Sequence, residues 1–309
     1  MHELNKTEIE VLRAVYEGRI NTRGISKTIG RSSTRVSVIV EGLRKKGFLQ
    51  KERNGVGYLI SFSPNKFVDH FKRVLAENRP SIECLTDSKM TLLGMFLGRA
   101  QWLQKRDITS RTMLSQSTIR DFLATEVRCG VLRREGRCYR LSKSMGILKD
   151  FLEEYSNFIS WTLLKELAQD TIVQWRLGFE FIFSVPKSIE PGIGQATGIT
   201  AFGRNGVDFI TSRDYFHFLP SKMKMGHEEF ILDNILMGTE DTRNILNSAI
   251  YLKRNFEKVD MERFLRVSET YGIRKKCEEL VAFITAKKTN VQGFPSYKEF
   301  IEKYQIYRG

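Results

Sequence analysis

Apolar side chains recur every three to four positions through the first third of the chain, the spacing of helices that bury one face. Ile9, Leu12 and Tyr16, with Val11 and Val15, form the first such stripe. Asn5 stands at its start as an N-cap, Glu8 three residues later completes a capping box, and Gly18 ends the helix. Ile25 and Ile29 predict a short second helix over residues 22–29, closed by Gly30. Ser32 or Ser33 then opens a third helix that turns Val36, Ile39, Val40 and Leu43 inward and leaves Arg35, Ser37 and Glu41 on other faces. After Gly47 the period drops to two. Short β-prone runs flank Asn54-Gly55, a dipeptide suited to a tight hairpin.

The pattern then returns. Phe67, Phe71, Val74 and Leu75 space a connecting helix, and an apolar helix over residues 85–103 starts near Thr86 or Asp87. Residues 109–114 predict a short helix. The next one buries Ile119, Phe122, Leu123 and Val127, presents Ser117, Thr118, Arg120 and Asp121, and ends at Gly130. A hairpin follows around Glu135-Gly136-Arg137. Repetition of a whole architecture is stronger evidence than either copy alone.

Ile147, Leu148, Phe151, Leu152, Tyr155, Phe158 and Ile159 mark a long helix leading into the second half. There TIVQWRLGFEFIFSVPKS reads as one or two strands, and ITAFGRNGVDFIT and DYFHFLPS as further aromatic, β-branched segments. Helical spacing resumes from His227 and closes with the stretch 297–307. The fold class expected is α+β: tandem winged helix-turn-helix units followed by an α+β domain with a small sheet and several helices. Its parts are a first winged domain at 1–63, a connecting helix at 64–80, a second winged domain at 81–144, a linking helix at 145–170 and an assembly or sensory domain at 171–309.

Charge sharpens this picture. Of 309 residues, 50 are Lys or Arg and 36 Asp or Glu, a net charge of +14. Residues 1–150 hold 29 basic and 15 acidic side chains, so the whole excess lies there, and the remaining 21 of each sign cancel. A field of that sign attracts polyanions. Short serines at the start of a helix let its backbone approach a groove, free N–H groups there accept a phosphate, and an arginine reaches a base edge. These rules select Arg31, Ser33, Thr34, Arg35 and Ser37, with Lys51 and Arg53 on the hairpin, as the first DNA-binding set. Ser117, Thr118 and Arg120, with Arg133, Arg134 and Arg137, form the second.

Other chemistry finds little support. Cys84, Cys129, Cys138 and Cys277 include no close pair, so reduced thiols are expected and no zinc site. The run 192–198 is rich in glycine but lacks the lysine of a phosphate loop, and reads as a structural turn. His217 and His227 lie near Asp208, Asp214, Glu228 and Glu229 without a spacing that gathers them on one face. Neither a catalytic motif nor a cofactor is expected. The start of the chain carries no leader, and no apolar run reaches the roughly 18 residues of a membrane span, so a cytoplasmic location is expected.

The phrase VSVIVEGLRKKGFLQKERNGVGYLISFS resembles the winged-helix transcription regulators, including the MarR-like ones, over the first sixty residues. The segment ATGITAFGRNGVDFITSRDYFHFLP and the helical stretches after it resemble the C-terminal domain of AbiEi-type antitoxins, over residues 171–285. That second resemblance implies DNA binding together with a protein-contacting or sensory domain, although the extra N-terminal winged unit departs from the antitoxin plan. The expected function is a non-enzymatic, sequence-specific regulator of transcription. Its expected partners are double-stranded DNA, a second copy of the chain, and a protein or small effector at the C-terminal domain, with no membrane. Two alternatives are an architectural or replication-associated DNA-binding protein and a nucleic-acid enzyme with an unrecognised C-terminal site.

Overall fold

The computed structural model describes residues 3–55, 57–77, 80–98, 102–167, 170–187, 189–221, 223–239, 241–286 and 294–304. The fold is α+β, with many helices and small antiparallel sheets. In order along the chain stand α1 (Lys6–Tyr16), α2 (Thr22–Ile29), α3 (Ser33–Lys45), β1 (Leu49–Asn54), β2 (Gly57–Phe62), α4 (Lys66–Ala76), α5 (Ser88–Gly94), β3 (Leu103–Gln104), α6 (Lys105–Ser110), α7 (Gln116–Arg128), β4 (Leu132–Glu135), β5 (Cys138–Leu141) and α8 (Gly146–Lys165). They continue with β6 (Ile172–Leu177), β7 (Glu180–Pro186), β8 (Gln195–Ala196), α9 (Gly198–Arg204), β9 (Arg213–Phe218), α10 (His227–Leu236), α11 (Thr242–Arg254), α12 (Met261–Thr270), α13 (Arg274–Ala286) and α14 (Tyr297–Lys303). The chain divides into two compact units. One comprises residues 1–97 and 114–161, the other residues 98–113 and 162–309.

In the first unit the caps form as the sequence predicts. The Asn5 side chain accepts from the Glu8 N–H at 2.9 Å, and the Glu8 carboxylate accepts from the Asn5 N–H at 2.8 Å. Asn21 caps α2, and Gly30 ends it in the left-handed region. Ser32, not Ser33, caps α3. Tyr16, expected on the buried stripe, is 45% exposed, because it lies in the last turn of α1, past the packed positions. Antiparallel β1 and β2 pair Asn54 with Gly57, so the turn is centred one residue later than Asn54-Gly55 suggested. Phe67, Val68, Phe71, Val74 and Leu75 of α4 are buried. Their partner is α8: Phe48 packs within 5.0–5.2 Å of Phe67, Phe71 and Tyr155, ring centre to ring centre, and Phe71 within 5.3 Å of Phe151. This aromatic cluster binds α4 and α8 to the end of α3.

Several elements differ from expectation. The helix expected over 85–103 is much shorter, since α5 ends at Gly94 and the backbone turns through Met95 to Gly98, where φ is +61°. The short helix expected at 109–114 lies earlier, at α6, because the Asp107 carboxylate accepts from the Gln104 N–H at 2.9 Å and sets its start there. In α7 Glu126 is buried where Val127 was expected, and Val127 is half-buried.

The second unit is built on a four-stranded antiparallel sheet in the order β6-β7-β9-β8, with the tight turn between β6 and β7 made by Gly178 at φ +55°. The stretch ITAFGRNGVDFIT is not a strand: its first half is α9. Phe202 of α9 stacks on Tyr251 of α11 with ring centres 4.0 Å apart, and this burial outweighs the β preference of the local sequence. A core of Phe202, Ile231, Tyr251, Phe264 and Phe283 joins α9 through α13. The last expected helix is seen as α14, and residues 305–307 of that expectation lie outside the described residues.

Candidate nucleic-acid interface

Two stretches of the chain share a detailed plan. Ser32 and Ser115, 83 positions apart, each cap a helix of 13 residues, α3 and α7. Val36, Ile39 and Val40 in the first and Ile119, Phe122 and Leu123 in the second are buried at the same separation. Gly47 and Gly130 follow, both in the left-handed region, with φ +78° and +74°. Leu49 and Leu132 then begin the hairpins. The helices before them, α2 and α6, also begin 83 positions apart, although α2 shares a compact unit with α3 whereas α6 and α7 fall in different ones.

On α3 the predicted side chains are all exposed: Ser33, Thr34, Arg35 and Ser37, with Arg31 just ahead of the cap. The Ser32 hydroxyl accepts from the Arg35 N–H at 3.3 Å, so the cap satisfies one N–H group of the first turn. Farther along, Glu41 and Arg44 form a bidentate pair, closest at 2.7 Å. The hydrogen bond from Arg44 holds the Glu41 carboxyl below the usual carboxylate range. Lys46, by contrast, is committed to structure, with its ammonium on the Glu8 carboxylate at 2.7 Å.

The first hairpin places Arg53 directly across from Tyr58, and side-chain alternation puts Lys51 on the same face. The Lys51 ammonium sits 3.9 Å from the centre of the Tyr58 ring, and Tyr58 itself is 51% exposed. A cation, an aromatic face and a second cation therefore stand together on the hairpin, a surface suited to a phosphate chain beside a sugar or base. The second hairpin repeats the cation and ring without the second cation, with Arg134 across from Tyr139 and its guanidinium 5.8 Å from the ring. Arg133 and Arg137 are exposed, and the Arg134 Nε donates to the Gly136 carbonyl at 2.8 Å. On α7, Ser117 and Thr118 are exposed but turn their hydroxyls to Ser115, each at 2.8 Å, and Arg120 reaches Asp121 at 3.3 Å. Sequence reasoning missed Tyr58 and Tyr139. The signal was present as an aromatic residue on the return strand of each basic hairpin.

In the second unit the polar groups are engaged with one another. His217 Nδ1 lies 2.8 Å from the Asp233 carboxylate, which also accepts from Thr197 at 2.5 Å, and all three side chains are buried. Burial opposes a charged imidazolium. The charge and hydrogen bond of Asp233 outweigh it and hold His217 above the ordinary histidine value. His227 bonds Tyr251 at 2.6 Å, while Glu228 and Glu229 both hold Arg263. These side chains are thus held in separate small groups, and no cluster able to hold a metal ion is found among the described residues. In the glycine-rich loop a Cβ at Gly198 would stand 2.6 Å from Met237, so packing against the protein occupies the space. Cys84 and Cys277 are buried, and burial pushes the Cys277 thiol up to about 12. One cavity of about 600 Å³ opens beside Gln174, Tyr215, Asn234, Met237, Arg243 and Asn247. No helix among the described residues is long and apolar enough to cross a membrane.

No family model and no solved structure matches the chain. Over 62 residues it is 34% identical to a protein of Pyrococcus abyssi described as uncharacterized, a match covering 19% of this chain and 19% of that protein's length.

Proposed function

We propose that this chain is a sequence-specific, non-enzymatic, duplex-DNA-binding regulator of transcription whose first half carries two winged helix-turn-helix units in tandem. One observation carries the reading: a serine-capped helix with an exposed polar face, followed by a hairpin that sets a cation over a tyrosine, occurs twice in the half that holds all the excess positive charge. Capped helices of this kind fit the major groove, which in A-form RNA is too deep and narrow for them. The cavity in the second unit, mixed in polarity, suits a small effector, and its size is within the range of ligand sites. The protein acts as a homodimer on a two-fold operator, and sedimentation with and without DNA tests this: a monomer in both states refutes the dimer.

The function is tested by selecting bound fragments from a sheared genomic library with purified protein, near physiological salt, against a nonspecific duplex. A few fragments sharing an inverted or tandem motif near promoters are expected. Broad recovery without a motif would replace the regulator by an architectural protein, and no recovery would remove DNA from the account.

A further inference from the structure

Five of the thirteen residues of α3 are Val, Ile or Leu, and four of them, Val36, Ile39, Val40 and Leu43, are buried. The fifth, Val38, is 61% exposed. At about 100° per residue, the direction opposite the buried stripe passes close to Thr34 and Lys45, and Val38 lies about 30° from it. Arg35, the side chain expected to reach a base edge, lies about 90° away, on the flank. The outward pole of the helix therefore carries a branched apolar knob between Thr34 and Glu41. Its neighbours Thr34 and Ser37 are short, and the longer Glu41 one turn on is drawn to Arg44 by their ion pair.

We propose that Val38 is a specificity-determining residue that packs on the 5-methyl group of a thymine in the major groove. This inference rests on the reading of α3 as a DNA-recognition helix. The charge around the knob favours a duplex as its occupant: Arg31 and Arg35 flank the start of α3, Lys45 lies near its end, the neighbouring Glu41 carboxylate is neutralised by Arg44, and the half of the chain that contains it is strongly basic. Among the groups that base pairs present in the major groove, the thymine methyl is the apolar one. The corresponding position of α7 holds Asp121, paired with Arg120, so the second helix has no such contact to make.

The test uses the full chain and a duplex recovered by the genomic selection, with each thymine replaced in turn by uracil, which removes the methyl group alone. At one thymine in each site bound by α3, uracil should weaken binding about three- to fivefold, the loss expected for one buried methyl. Val38→Ala should bind the thymine duplex more weakly by a similar factor, lose the difference between thymine and uracil at that position, and keep its salt dependence. Alanine favours the helix and the site is on the surface, so the variant folds. If every uracil is tolerated by the unaltered chain, or if Val38→Ala still distinguishes the two bases, the inference is wrong while the DNA-binding reading stands. If no duplex competes above the nonspecific one, both fail together.

Discussion

Lys51 and Tyr58 form a cation–ring contact on the first hairpin. The ring holds a long, flexible side chain in place, so under the proposed function less entropy would be lost when a phosphate binds. Replacing Lys51 and Arg53 by alanine should weaken binding to every duplex alike and lower the slope of log affinity against log salt by about 1 for each phosphate contact removed. A salt titration with an unchanged slope would remove this hairpin from the proposed interface. His217 makes a prediction of a different kind. Its native pKa is raised, so its pair with Asp233 stabilises the fold fully below about pH 6.5, and this contribution fades as pH climbs through the native value. Urea unfolding should show stability falling from pH 6 toward pH 9, and His217→Gln should flatten that fall. An identical slope in the variant would contradict the assignment.

At the scale of elements, the left-handed glycines after α3 and α7 are chemically alike but differently placed. A Cβ on Gly47 would meet the Phe158 ring at 2.4 Å, whereas a Cβ on Gly130 meets nothing within 4 Å. Gly130→Ala should therefore cost about 1–2 kcal/mol for its backbone alone, and Gly47→Ala about 1–3 kcal/mol more for overpacking. Comparison of their unfolding midpoints checks the difference. Local signals wrote these helix ends plainly: Asn5, Ser32 and Gly30 are caps whose chemistry depends on a few neighbouring residues, and they were legible. The helix α9 was not. Its conformation depends on Phe202 meeting Tyr251, 49 positions later, and a window of β-branched and aromatic residues contains nothing of that contact. The candidate interface was legible in its charges and serines. Val38 escaped notice because an exposed valine and a core valine look the same until the buried stripe is fixed in three dimensions.

At the scale of the whole molecule, residues 98–113 belong to the second unit although their neighbours on both sides belong to the first. Arg111 fastens that segment. Buried in the second unit, it donates to Glu180 at 2.5 Å, to Thr270 at 3.2 Å and to the Tyr271 hydroxyl, and its planar fork serves all three at once. Arg111→Ala strands the Glu180 carboxylate beside Tyr271 and should cost about 3–5 kcal/mol in urea unfolding. Arg111→Lys should recover only part of that, since an ammonium lacks the fork. The chain passes between the units three times, at residues 97/98, 113/114 and 161/162. Such interleaving bears on inheritance. A gene rearrangement with one join at 161/162, bringing in a foreign C-terminal portion, would leave Arg111 behind with none of Glu180, Thr270 or Tyr271 to receive it. Either unit can be exchanged for another only by recombination at all three points, so the two are expected to descend as a pair.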